Sequence, residues 1–197
     1  MRSEDDDMET VQVRRWTRDE YEKMLEAGVF SPDERVELID GEILKMTPQK
    51  SALATAISLT GDALRTAFDA GYHVRTQLPL AVDPYSEPEP DVAVVLGRPR
   101  DYRLAHPATA LLIVEVADAT LRHDRKRKGS LYARAGVPEY WIVNLLDRRL
   151  ELYRDPVLAT EARYGWEYQT VRLYASEQEV APLGATHARI AVQDLLP

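Results

Sequence analysis

Three short apolar runs limit what this chain can fold into: PDVAVVL (residues 90–96), ALLIVEV (110–116) and EYWIVN (139–144). Each is too short for a buried helix, is rich in strand-forming residues and is bounded by turn or charged clusters, so each reads as a strand. ALLIVEV has no polar alternation over most of its length and reads as buried on both faces. Between the second and third runs lies a helical stretch. Asp124 is its expected N-cap, Leu131, Tyr132 and Ala135 its inward stripe, Gly136 its cap and Pro138 its stop.

Further elements flank these runs. TRDE (17–20) forms a capping box, with Trp16 and Tyr21 placed as a hydrophobic staple, and predicts a short helix ending at Gly28. RVELIDGEILKM predicts a hairpin about Asp40-Gly41, with Glu37 and Glu42 read as exposed hairpin positions in preference to site residues. Leu53, Ile57, Thr60, Leu64 and Phe68 share one face of a helix over residues 51 to about 70, ended by Gly71. YHVRTQLPLAV reads as another strand, and RRLELYR and residues 166–174 as partly exposed antiparallel strands joined by a loop over 155–165. The sum is an α/β fold with a central mixed β-sheet flanked by helices, in the order helix, three strands, helix, strand. An N-terminal helix and hairpin and C-terminal antiparallel strands decorate it. Residues 1–10 read as a disordered acidic tail and 11–197 as one domain.

Composition excludes several function classes. The chain has no cysteine, so disulfides, thiolate catalysis and Cys-ligated metals are ruled out, and a bound metal must use oxygen or histidine ligands. A net charge of -8 argues against coating nucleic acid by charge alone. No apolar stretch has the length of a membrane helix and MRSEDDDMET is unlike a signal peptide, so the expectation is a cytoplasmic protein with no membrane partner. Positive charge is concentrated at Arg122, Arg125, Lys126, Arg127 and Lys128, and the first four are weak candidates for a nucleic-acid approach surface.

Asp91 opens one apolar run and Glu115 almost closes the next. Were those strands antiparallel neighbours, the two carboxylates would meet at one edge of the sheet, where a divalent cation would relieve their repulsion. Hard oxygen ligands favour magnesium or manganese. A buried ion pair at a strand end is the competing structural reading. Lys128 precedes Leu131 by three residues and Tyr132 by four, so it shares their inward face and needs an anionic partner there. Lys126 and Arg127 are expected to point outward. Together Asp91, Glu115 and Lys128 suit phosphodiester hydrolysis.

VELIDGEILKMTP, PEPDVAVV, LLIVEVADAT and DRKRKGSLYARAGVPEYWIVN, in this order, resemble the Uma-type family of endonucleases, a restriction-endonuclease-like branch of the PD-(D/E)XK nuclease superfamily. The resemblance covers roughly residues 16 to 195. It implies a Mg2+-dependent core (Mn2+ as a substitute), with Asp91 as the PD aspartate and Glu115 as the acid of the (D/E)XK motif. The lysine expected at position 117 is replaced by Ala117, and its family counterpart on the following helix is Lys128. Glu37 matches the family's ELxxGE pattern and would supply a third metal ligand or a second-metal position, and Gln77 could face the site from the preceding strand. This chain departs from the family at Ala117 and Ala119, where serines are usual, and at Leu53, where a histidine is usual. Of the four histidines, His73, His106, His123 and His187, only His123 falls near the expected site. The implied activity is DNA hydrolysis. Alternatives are a nuclease-fold binding or scaffold protein that has lost catalysis and an RNA-directed phosphodiesterase. Such folds often dimerise, and Trp166, Tyr168 and Tyr174 would offer a homodimer an apolar surface or else cover their own core.

Overall fold

The computed structural model describes residues 13–46 and 48–197; the acidic tail expected over residues 1–10 lies outside them. The first helix, α1 (Arg18–Glu26), has the expected capping box: Glu20 N–H donates to Thr17 Oγ1 at 3.3 Å and Thr17 N–H to Glu20 Oε2 at 3.0 Å. Trp16 and Tyr21 pack together with the hairpin residues Val36 and Leu38. That hairpin is β1 (Val36–Ile39) and β2 (Glu42–Lys45), closed by Asp40 (φ 51°) and Gly41 (φ 81°). Two positive φ values in succession make the turn tight and match the strand twist. Gly41 also has a packing reason, since a Cβ there would lie 2.6 Å from Arg15 Cβ.

Helix α2 (Ser51–Ala67) leads into a six-stranded sheet formed by β3 (Tyr72–Thr76), β4 (Val92–Leu96), β5 (Leu112–Ala117), β6 (Glu139–Asn144), β7 (Arg149–Leu158) and β8 (Trp166–Ala175). The strands lie in chain order, with β5 and β6 parallel and every other pair antiparallel. The sheet is therefore mixed, as the sequence predicts. Helical residues bridge the parallel pair: α3 (Leu121–His123), a π-helical turn (Asp124–Lys128) and α4 (Gly129–Arg134). Two short strands, β9 (Glu179–Val180) and β10 (Ile190–Ala191), pair near the C-terminus.

Strand alternation divides the core. Val92, Val94, Val114 and Val116 face α2 on one side of the sheet, and Ala93, Val95, Ile113 and Ala117 face Leu131 and Tyr132 on the other. Two expectations fail locally, and a third point left open between two readings is decided. Residues 155–158 are strand, because β7 pairs with β8 as far as Leu158↔Trp166. The strand predicted through Val82 stops at Thr76, where Gln77 takes a left-handed φ of 52°. The aromatic residues of β8 cover their own core: Tyr168 is buried, and Trp166 and Tyr174 pack against the two sides of the sheet. Among the described residues no helix is long and apolar enough to cross a membrane.

Candidate active site

The antiparallel register of β4 and β5, Val92↔Val114, carries one step further to set Asp91 opposite Glu115. Both side chains lie on the sheet face that packs against α4. Asp91 is fixed there, since Val116 N–H donates to its Oδ2 at 2.8 Å. On the outer side, Gln77 N–H donates to Asp91 O at 3.1 Å, and its side-chain amide lies beside the Asp91 carboxylate.

Lys128 reaches this pair through the π-helical turn. Gly129 N–H bonds Asp124 O, five residues back, and the wider turn leaves both Asp124 and Lys128 buried. Tyr140 Oη–H donates to Asp124 O at 3.2 Å, and the same carbonyl oxygen lies 3.4 Å from a Cβ built on Gly129. Asp124 is thus not the N-cap that the sequence suggests. The helical run begins earlier, at Leu121, and Thr120 Oγ1–H instead donates to Asp124 Oδ2 at 2.6 Å. The shift follows from Asp124's burial, which leaves its carboxylate facing the site.

Lys128 Nζ lies 3.0 Å from Glu115 Oε1 and 3.3 Å from Glu37 Oε2. Tyr132 Oη–H donates to the same Glu115 oxygen at 2.7 Å. The sequence marks Tyr132 only as a core residue; its position four residues after Lys128 was the available signal for a shared target. Glu37 corrects the hairpin reading. It is 4% exposed, and its Oε2 also accepts Glu89 N–H at 3.2 Å. A short strand paired with β2 on one edge, bridged at Leu38 to Glu87 on the other and approached by Lys128 hides the residue that alternation would leave in solvent. Glu42 remains exposed, in ion pairs with Arg127 and Arg163.

Charge in this cluster is lopsided. Burial pushes the Glu115 carboxyl well above the ordinary range, with Lys128 opposing it and Asp91, Asp124 and Glu37 adding to it. Burial likewise raises Asp91, against the pull of Val116 N–H and Lys128, and raises Asp124 to about 6. Burial alone would strip the Lys128 proton, but the surrounding Glu115, Glu37, Asp124 and Asp91 hold its pKa well above the usual value, so it stays an ammonium. These side chains line a cleft of about 640 Å3, together with Lys45, Lys50, Leu53 and His123. His123 is half-buried, and burial followed by Lys128 lowers its pKa, which favours a neutral ring.

The basic run divides. Arg122 and Lys126 are exposed. Arg125 forms a two-pronged pair with Glu151, Nε–Oε2 at 2.8 Å and Nη2–Oε1 at 2.5 Å. Arg127, expected to point outward, pairs with Glu42 at 2.9 Å and donates to Tyr164 Oη at 2.9 Å. Its side chain is held across the hairpin and is not free in solvent.

Asp91 and Glu115 have the donor chemistry of a magnesium site, which needs few protein carboxylates because it keeps several waters and takes the rest from substrate oxygens. Among the described residues no three acidic or histidine side chains close into a ready-made metal cage. The residues therefore fit a magnesium held by one or two carboxylates and open to the cleft.

A mixed sheet with helices on both faces, and acids converging with a lysine at one edge, has the form of a nuclease fold. A family model described as "Uma2: Putative restriction endonuclease" matches residues 18–192, and the chain belongs to that family. Its fold is similar to that of "a putative nuclease belonging to DUF820 from Anabaena variabilis". The two are 14% identical, with a TM-score of 0.66 over 91% of this chain and 96% of that one. No curated protein matches the chain.

Proposed function

We propose that the protein is a magnesium-dependent endonuclease that hydrolyses DNA phosphodiester bonds, with Asp91, Glu115 and Lys128 as its catalytic residues and Glu37 as an accessory acid. The observation that carries this reading is the buried Lys128 ammonium held between Glu115 and Glu37 on a cleft that Asp91 also lines. One cation cannot balance four buried acids once they ionise, and a site with such an excess of carboxyl groups is suited to an added divalent ion. Asp91 and Glu115 would hold that ion, and when bound it would supply charge neutralisation at the phosphate and acidify an attacking water.

The chain's own groups do the positioning. Tyr132 and Lys128 both engage Glu115 Oε1, which leaves Oε2 for the cleft. Val116 N–H occupies Asp91 Oδ2 and so orients that carboxylate. Lys128, kept protonated by its neighbours, presents a positive charge where negative charge would develop on the phosphoryl oxygens.

The test is cleavage of single-stranded, duplex and branched DNA with magnesium or manganese. Asp91→Ala, Glu115→Ala and Lys128→Ala should each lower the rate by about a thousandfold while the circular-dichroism spectrum stays native. A well-folded wild-type protein that cleaves none of these substrates overturns the reading. In that case Ala117, Ala119 and Leu53, where the family usually has serines and a histidine, mark a fold kept for binding.

A further inference from the structure

Four arginines outside the cleft gather around one segment of the chain. Arg98, Arg100 and Arg103 are exposed in the segment between β4 and β5, and Arg75 is buried beneath that segment. None of the four forms an ion pair with a described residue. In a chain of net charge -8, unpaired guanidinium groups gathered in one place are the exception. By contrast, Arg125, Arg127 and Lys128 of the conspicuous basic run are all paired with acids.

The segment is built to hold these groups outward. Pro99–Tyr102 is a 3-10 turn, in which residues three apart eclipse one another, so Arg100 and Arg103 share a side. Asp101, the turn's own acid, accepts Arg98 N–H at 2.8 Å. Gly97, at φ 86°, has no Cβ to collide with the Asp101 carboxylate. Tyr102 Oη–H donates to Leu96 O and pins the turn to the end of β4.

Beneath it, Arg75 has no carboxylate. Its guanidinium lies 5.6 Å from the Tyr102 ring centre, Nη2 donates to Pro79 O at 3.1 Å and lies 3.4 Å from His106 Nδ1, and Nε has no partner among the described residues. A buried cation with an unused donor is costly unless an anion reaches it. The acids nearest to His106, Glu22 and Glu89, already face Arg18 and Arg35.

The position is also informative. Arg75 pairs with Ala93 in the sheet, two residues from the Gln77 and Asp91 row and on the same face. That is about 7 Å along the strand, comparable to one phosphate spacing. Ala81 N–H donates to Pro107 O at 2.9 Å, so the arginine-bearing segment is fastened to the chain that leaves β3. Guanidinium groups therefore continue from Arg75, on the strand beside the Gln77 and Asp91 row, to Arg100 and Arg103 on the segment above it.

We propose that residues 98–106, with Arg75 beneath them, form the surface along which the phosphate backbone of the nucleic-acid substrate leaves the cleft. The proposal rests on the nuclease reading and names its substrate-holding surface, which lies away from the basic run at 122–127.

The experiment compares Arg100→Ala/Arg103→Ala with Arg122→Ala/Lys126→Ala, both pairs being exposed and outside the residues that line the cleft. Binding of a short fluorescent DNA duplex is titrated with calcium in place of magnesium, over a range of salt. The loop pair should raise Kd about tenfold and lower the slope of log affinity against log salt by about 2, and the 122/126 pair should do neither. An unchanged Kd in the loop variant, or an equal loss in the 122/126 variant, overturns the proposal. An equal loss of binding to polyglutamate also overturns it, because the surface would then not be one for a phosphate backbone. If the wild type cleaves DNA while the loop variant binds normally, only this proposal falls. If the wild type neither binds nor cleaves, the nuclease reading falls with it.

Discussion

Two buried glutamates on adjoining strands have opposite surroundings. Glu139, on β6, is fully buried, and both its oxygens are satisfied from within the fold. Oε1 accepts from Trp141 Nε1 at 2.9 Å and from Arg154 Nε and Nη2 at 3.0 and 2.6 Å, and Oε2 accepts Leu183 N–H at 2.6 Å. Glu115, on β5, has two donors crowded on Oε1, three further acids nearby and a cleft before it. The first arrangement is closed and holds β6, β7 and the C-terminal segment together. The second gathers more acids than its own lysine can balance. Burial alone does not distinguish these two acids; the partners of their oxygens and the groups around them do.

The comparison breaks most sharply in stability. Glu139→Ala leaves Arg154 without its carboxylate inside the fold, and it should cost about 3–5 kcal/mol in urea unfolding. Glu115→Gln removes a charge from a site with too many of one sign. Lys128 still has Glu37 at 3.3 Å, so the unfolding free energy should change by less than about 1 kcal/mol, while cleavage is lost. Equal destabilisation by both substitutions would show that the Glu115 cluster is a structural ion pair like that of Glu139.

A smaller effect separates positioning from packing. Tyr132→Phe deletes the hydroxyl on Glu115 Oε1 and leaves the ring in place. Manganese affinity, measured by titration calorimetry, should fall about tenfold, as for other groups that orient a ligand. Tyr168→Phe is the control, because that hydroxyl donates to Val137 O at 2.9 Å, away from the cluster. It should lower stability without changing metal affinity. Equal affinity in Tyr132→Phe and wild type would reduce Tyr132 to a core residue.

Much of this arrangement was legible in the sequence because it depends on local spacing. The Asp40-Gly41 turn, the Thr17 capping box, the apolar runs and the inward side of Lys128 each follow from residues within a few positions of one another. Even the meeting of Asp91 and Glu115 needs only that two neighbouring strands be antiparallel. What escaped depends on distant partners. Glu37 is buried because Lys128 approaches from the far helix, and Arg125 is occupied because Glu151 waits on β7. The π-helical turn escaped for the same reason, since its widening is supported by Tyr140 from β6. Much of the charge that looks available in a linear run is committed in three dimensions: Arg125, Arg127 and Lys128 are paired with acids, and only Arg122 and Lys126 of that run stay exposed.

Glu151 falls between the two extremes and gives the smallest effect. It continues the row through Glu115 and Ile142, and it accepts from Arg125, Asn144 and Tyr153, yet its Arg125 partner reaches solvent. Burial would raise its pKa, but the hydrogen bonds from Arg125, Asn144 and Tyr153 outweigh burial and lower it from 4.5 to about 2. A depressed carboxylate pKa stabilises the fold above the unfolded-state value and loses that contribution as pH falls toward the folded-state value. Wild type should therefore exceed Glu151→Gln in stability by about 1 kcal/mol near neutral pH, a figure reduced for the exposure of Arg125. The gap should narrow as pH drops below about 4.5. Urea unfolding of the two proteins across pH 3 to 7 measures it. A gap that widens on acidification would mean that Glu151 is protonated in the folded state, and that the Arg125 pair does not brace the turn carrying Lys128.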